Sequence, residues 1–335
     1  MSRILITGVA GFLGSHLADK FLSDGHSVIG IDNLIGGYLE NVHSEVEFFL
    51  DDLNNLDSIS HIFRGIDVVV HSACTAYEGL SVFSPSLVVQ NTTQITANAL
   101  SASVKSNVKR FIFMSSMARY GTQNQLPFIE NMTPRPQDPY GIAKYASELL
   151  VKNISEVHGM EYVILVPHNI IGPRQKFDDP YRNVASIITN RFLQNKQPII
   201  YGNGEQKRCF SFIDDVVDPI FKSCFEDAAL SKIINIGPDE EFITINNLAF
   251  MIADILKVDC KPIYVDNRPQ EVFEANCSAN LARQILGYET KMDLRSGLTE
   301  LVNWILAQPR REFTYHLPVE IQSSKTPKTW LNRLI

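Results

Sequence analysis

One stretch near the start constrains this chain most. R-I-L-I-T at residues 3–7 runs into T-G-V-A-G-F-L-G, with Gly8, Gly11 and Gly14, and then into an amphipathic segment over residues 12–23. A β-branched run that passes through glycines into a 3.6-residue period predicts strand, tight turn and helix. Glycine at that junction allows the turn and lets an anionic group approach the first-turn amides at the positive end of the helix. The texture then repeats. Apolar runs at 28–31, 46–50, 68–70, 111–114 and 162–166 alternate with periodic segments at 56–63, 87–104 and 140–157. Such alternation predicts parallel strands joined by crossover helices, an α/β fold with a Rossmann-type doubly wound sheet.

After Val166 the pattern breaks. Pro167, Pro173, Pro180, Pro198, Pro219 and Pro238 fall between shorter elements, with helical pieces at 184–194, 216–225, 245–256 and 294–306. Residues 1–170 are therefore expected to form the first unit and 171–309 a smaller C-terminal α/β unit, with the boundary near 167–175. A strand near 233–237 is free to rejoin the first sheet. Residues 310–335, with Pro318 and Pro327 and no clear period, form an arm or a tail.

Composition narrows the function classes. The 335 residues carry 30 Lys+Arg against 37 Asp+Glu, a formal net charge of -7, which argues against a nucleic-acid groove. With 45% hydrophobic and 20% charged residues the chain is in the globular range. It has no uninterrupted apolar run of about 18 residues, and its N-terminus is too strand-like for a signal peptide. Five scattered cysteines (Cys74, Cys209, Cys224, Cys260 and Cys277) without C-x-x-C suit reduced thiols rather than a disulfide or metal framework. The expectation is a cytoplasmic protein without metal, nucleic-acid or membrane partner.

Asp32 ends the second apolar run, where a carboxylate accepts hydrogen bonds from both ribose hydroxyls of a dinucleotide and repels a 2′-phosphate, so NAD is favoured over NADP. Asp52 and Leu53 follow the third run and are placed to meet the adenine, with Asp51 an equally acidic neighbour. Tyr140 and Lys144, in P-Y-G-I-A-K, share one face of a predicted helix at i and i+4. A phenol is a poor base near neutrality, but an adjacent ammonium and a nicotinamide cation lower its pKa enough for acid/base work. Ser115 and Ser116 after the 111–114 run can bond the substrate oxygen that loses its proton.

The ordered set T-G-V-A-G-F-L-G, Asp32, H-S-A-C at 71–74, Asn91, S-S-M-A-R-Y-G at 115–121, P-Y-G-I-A-K, N-I-I-G-P-R at 169–174 and Y-G-N-G-E-Q-K-R-C-F-S-F at 201–212 resembles the extended short-chain dehydrogenase/reductases. Within them it is similar to the NAD-dependent sugar-nucleotide epimerase/dehydratase family, over roughly residues 3–305, and closest in pattern to the UDP-glucose and UDP-N-acetylglucosamine 4-epimerases. The resemblance implies that Ser116, Tyr140 and Lys144 are catalytic, with Ser115 the less favoured hydroxyl. It places NAD against Gly8, Gly11, Phe12, Leu13, Gly14, Asp32, Asn33, Asp52, Leu53, Ser72, Ala73, Asn91, Ser115, Tyr140, Lys144 and Pro167. The nucleotide sugar is implied to meet Ser116, Tyr140, Asn169, Arg208 and Arg268 in the smaller unit, with residues 182–187 facing the nucleobase. A homodimer through the helices at 87–104 and 140–157 is implied as well.

The reaction follows by resemblance and exclusion. A 4,6-dehydratase of the family carries an Asp-Glu pair after the catalytic hydroxyl, whereas Met117 and Ala118 stand here. An enolising 3,5-epimerase needs a cysteine or lysine near the ring, and no cysteine lies in this loop. Epimerisation at C4 through a transient 4-keto sugar needs no further acid or base. Ala275 and Cys277, at an expected gate, suit an N-acetylated sugar. The alternatives are a keto-sugar reductase, a 4,6-dehydratase, or a dinucleotide-binding sensor without turnover. His168 is a substrate contact or an interior histidine, Cys209 a packed thiol, and Arg119 is without a physical account.

Overall fold

The computed structural model describes residues 1–239 and 242–335. Its strands are β1 (Arg3–Thr7), β2 (Ser27–Asp32), β3 (Glu47–Leu50), β4 (Val68–His71), β5 (Arg110–Met114), β6 (Glu161–Pro167), β7 (Asn169–Ile171), β8 (Ile199–Tyr201), β9 (Lys207–Arg208), β10 (Phe210–Phe212) and β11 (Ile233–Ile236), followed by three short ones. Seven of them form one sheet in the order β11-β6-β5-β4-β1-β2-β3, every pair parallel. Consecutive side chains explain the unbroken apolar runs. Ile4 and Ile6 enter the core beneath helices Phe12–Ser23 and Ile213–Ser223, while Leu5 enters the core beneath helices Ile95–Lys105 and Pro139–His158. A strand buried on both faces loses its alternation. The strand order reverses between β1 and β4, which leaves a crevice at their carboxyl ends.

Three helical expectations change. The segment 87–104 is not one helix but Pro85–Val89, a wide π turn Gln90–Gln94, and Ile95–Lys105. Asn91, at φ -81 and ψ 17, leaves the helical ladder because its carbonyl accepts from Thr75 N at 3.2 Å and its side chain from Asn54 Nδ2 at 2.9 Å. Helix 56–63 is confined to Leu56–Ile59 and continues as turns. The helix expected from 216 begins at Ile213, with Asp214 and Asp215 in its first turn, where negative charge meets the positive helix end.

A further core is built from Ile171, Phe177, Ile188, Phe192, Phe210, Leu248, Ile252, Leu298 and Leu301. It is carried mainly by helices Val184–Leu193, Ile245–Leu256 and Leu294–Ala307. The C-terminal stretch is a packed arm, with Leu317, Trp330 and Ile335 buried beside Tyr77, Leu80, Phe83 and Tyr181. Among the described residues no helix is long and apolar enough to cross a membrane.

Candidate active site

The glycines after β1 act by close approach. Gly8 has φ +77, and a Cβ on it would lie 2.9 Å from the Ala73 backbone; one on Gly14 would lie 2.2 Å from the Gly8 carbonyl. Loop, helix and the end of β4 therefore touch without side chains between them. Gly11 caps helix Phe12–Ser23 and offers no side-chain acceptor to its first-turn amides. At the end of β2 the Asp32 carboxylate accepts from Ala10 N at 3.0 Å and Leu34 N at 2.7 Å, and Asn33 Nδ2 donates to Asp52 at 3.1 Å. The resulting cleft is lined together by Gly8, Gly11, Phe12, Leu13, Gly14, Asp32, Asn33, Asp52, Leu53, Ser72, Ala73 and Asn91. Asp51 lines it too, so both carboxylates after β3 face the same space. Among the described lining residues, Arg182 alone carries positive charge.

Helix Pro139–His158 begins where the sequence favours a start: Asp138 accepts from Gly141 N at 2.8 Å and Pro139 occupies the first turn. It ends at Gly159 in the left-handed region, φ +71. Gly141 allows the helix to sit on the loop after β5, since a Cβ there would lie 2.7 Å from the Ala118 carbonyl. Tyr140 and Lys144 face inward on this helix, and both are buried. Lys144 Nζ donates to the Met114 carbonyl at 2.7 Å and lies 5.9 Å from the Tyr140 ring centre. The two serines part ways: Ser115 donates to Glu148, whereas Ser116 Oγ accepts from Ala118 N at 3.2 Å and lines the same cavity as the Tyr140 phenol.

Burial pushes the Tyr140 phenol well above its ordinary pKa, with Cys74 and Glu78 adding to the effect and Ser116 and Arg182 opposing it. The ammonium effect expected of Lys144 is not among these causes. The protein alone therefore keeps Tyr140 protonated.

Ser115, Ser116, Tyr140, Lys144, Pro167, Asn169, Arg208 and Arg268 line one cavity, which meets the cleft at Phe12, Leu13, Ser72, Cys74 and Arg182. Arg208 stands on β9, and Glu271 lies between the two arginines, 2.9 Å from Arg268 Nη2 and 3.9 Å from Arg208 Nη2. Arg268 also lies over the Tyr201 ring at 4.7 Å. Asn169 Nδ2 donates to the Cys209 carbonyl at 3.1 Å. Arg182, Asn183, Val184 and Ile187 line the cavity, as does His168, a buried imidazole that burial lowers to about 4. Ala275 lines an adjoining recess with Met117, Ala118 and Asn169, while Cys277 lies fully buried.

Glu78, Arg182, Glu271 and Trp330 line the cavity beside these groups. A tertiary approach of Glu78 to Arg208 and Arg268, across so many residues, leaves no local spacing to find it by. Arg119 now has an account. Its guanidinium, 2% exposed, pairs at 2.8 Å with the fully buried Glu148, the acceptor of the Ser115 hydroxyl, and so ties the 115–120 loop to helix Pro139–His158.

The sequence profile described as the NAD dependent epimerase/dehydratase family matches residues 4–237. The chain belongs to this family. Its cofactor is NAD, and the cleft suits that group: a glycine loop closed against Ala73, an uncapped helix N-terminus, an acidic strand end and one cation. The family member from Methanocaldococcus jannaschii named putative UDP-glucose 4-epimerase is 34% identical over 306 residues, covering 90% of this chain and 98% of that protein. The GDP-mannose 3,5-epimerase 1 of Oryza sativa subsp. japonica is 31% identical, covering 93% of this chain and 84% of that protein. The crystal structure of the UDP-glucose 4-epimerase of Thermotoga maritima with UDP-glucose has 31% identity and a TM-score of 0.86, covering 90% of this chain and 98% of that one.

Proposed function

We propose that the protein interconverts the C4 epimers of a nucleotide sugar, a UDP-hexose or UDP-N-acetylhexosamine, with Ser116, Tyr140 and Lys144 as the catalytic set. One observation carries this reading. Tyr140 and Ser116 line the cavity into which the dinucleotide cleft opens, together with Arg208 and Arg268, while Met117 and Ala118 bring no acid or base. Gly8, Gly11, Phe12, Leu13 and Gly14 hold the NAD diphosphate, Asp32 and Asn33 the adenosine ribose, and Asp52 and Leu53 the adenine. Ser72, Ala73, Asn91, Ser115 and Pro167 line the rest of its path. When bound, oxidised NAD takes up a hydride from the sugar and returns it, and its positive charge favours the phenolate.

The chain's own residues do the remainder. Tyr140 takes the proton of the sugar hydroxyl and gives it back, and the Ser116 hydroxyl holds the oxygen between the two states. Lys144 is anchored on the Met114 carbonyl and keeps a buried positive charge near the phenol. Arg208 and Arg268 grip the diphosphate, since guanidinium forks match its many acceptor oxygens. Asn169 meets the substrate beside them. The keto sugar can then turn about this anchor and present its other face, for which the cavity gives room.

A second reading, inversion through an enolised keto sugar, draws support from the likeness to the rice enzyme. The apolar pair Met117 and Ala118 speaks against it. Proton NMR of UDP-glucose, UDP-galactose and their N-acetylamino forms, each incubated with protein and substoichiometric NAD, tests the proposal. The C4 epimer should appear without net NADH. An unchanged panel with NAD retained would turn the reading toward another nucleotide, a reductase or a sensor.

We further propose a homodimer through the helices Pro85–Val89 and Pro139–His158. Val89, Ile142 and Leu149 support it, with 42%, 52% and 49% of their surface exposed.

A further inference from the structure

The C-terminal arm is stitched to both sides of the cavity. On one side Ser84 Oγ donates to the Pro318 carbonyl at 2.6 Å, Ile321 N donates to the Phe83 carbonyl at 2.8 Å, and the Glu320 carboxylate accepts from Ser86 N and Leu87 N at 3.0 and 2.8 Å. On the other, Arg191 Nη1 donates to the Leu334 carbonyl at 2.7 Å and Thr329 shares a hydrogen bond with the Tyr201 hydroxyl at 2.6 Å. Between these anchors the short helix Lys328–Leu331 turns Trp330 inward.

Trp330 is 3% exposed and lines the same cavity as Tyr140, Ser116 and Arg268. Its ring meets Tyr181 and Tyr201 at 5.5 and 6.5 Å between centres, and Tyr201 in turn carries the Arg268 guanidinium. Among the described residues neither the buried indole Nε1 nor the buried Arg268 Nε has a hydrogen-bond acceptor. Buried donors are ordinarily paired, and two unpaired donors on neighbouring side chains at one cavity wall are what a polar ligand would satisfy. Trp also supplies a large rigid surface with a single polar handle.

We infer that the arm is part of the substrate site, with Trp330 forming an aromatic wall and a hydrogen-bond donor for the nucleoside diphosphate next to Tyr201 and Arg268. The inference rests on the nucleotide-sugar reading. It makes Trp330 a binding residue rather than a catalytic one, so its loss raises KM and leaves kcat within about twofold.

The test uses full-length protein and three probes, UDP, GDP and dTDP, in calorimetry. Trp330→Phe, which keeps a smaller aromatic ring and removes the donor, should weaken binding of the preferred nucleotide about tenfold or more, the scale of one lost hydrogen bond to a ligand with some lost ring contact, with NAD content unchanged. A second measurement leaves Trp330 intact: the chain has two tryptophans, so in Trp304→Phe all indole emission comes from Trp330 and should change on nucleotide addition. Wild-type protein that binds a nucleotide while Trp330→Phe binds it equally well, with emission of the Trp304→Phe protein unmoved, overturns the inference and leaves the nucleotide-sugar reading standing. Wild-type protein that binds none of the three overturns both.

Discussion

At the scale of single residues, the phenol of Tyr140 is the group on which the proposed turnover rests. It is buried, lines the same cavity as Ser116 and is held protonated by its surroundings. Tyr140→Phe should retain NAD and nucleotide and lose turnover by about two to four orders of magnitude, the usual contribution of positioned acid/base catalysis. Activity that survives in single-turnover assays would remove Tyr140 from its role. Glu78 offers a second test. Its side chain is exposed to the cavity, where desolvation by the surrounding walls together with Asp138 raises its carboxyl to about 7 against the pull of Arg208 and Arg268. Between the ordinary glutamate range near ~4 and pH 7 the folded protein holds a proton that the unfolded chain has released, so this group's contribution to stability falls as pH rises through that window. A diphosphate arriving at the arginines adds negative charge beside Glu78 and raises its pKa further. UDP-glucose, whose diphosphate is a diester with no proton to lose near neutrality, should therefore take up a fraction of a proton on binding at pH 7, read from calorimetry in buffers of different ionisation enthalpy, and Glu78→Gln should abolish the uptake.

At the scale of elements, the buried pair of Arg119 and Glu148 joins the 115–120 loop to helix Pro139–His158. Removing one partner leaves a buried charge alone, so Arg119→Leu should cost about 3–5 kcal/mol in denaturant unfolding, while Arg119→Leu with Glu148→Leu should recover most of it. Equal loss in the single and double variants would show that packing, not charge, dominates there. The elements were legible to unequal degrees. The strands β1 to β6 and helix Pro139–His158 could be read because burial on both faces writes continuous apolar runs, and Asp138, Pro139 and Gly159 mark the helix ends. The break at Asn91 could not, since it depends on Thr75 and Asn54, which the fold alone brings near. The short strands β7 to β10 escaped because two or three residues carry no period. In the site, the glycine loop, Asp32, Tyr140 and Lys144 have fixed local spacing. Arg119, Glu78 and Trp330 take their surroundings from segments distant in sequence, and no spacing announces them.

At the scale of the whole molecule, the main sheet supplies the glycine-loop cleft, strand β9 and the turn at 268–271 carry the two arginines of the cavity, and the arm crosses beside them. If two copies pair through Pro85–Val89 and Pro139–His158, Leu149→Glu should shift sedimentation from dimer to monomer. A monomeric wild-type protein would refute the pairing without touching the chemistry. Hydrogen that leaves one carbon and returns to the same carbon inside one cavity has a direct signature. Turnover of unlabelled nucleotide sugar in D₂O, followed by NMR, should give the C4 epimer with no solvent deuterium on the ring, and a C4-deuterated substrate in ordinary water should give a product that keeps its label. Deuterium entering C3 or C5 from solvent, or loss of the C4 label, would contradict the account and favour an enolising or reductive route.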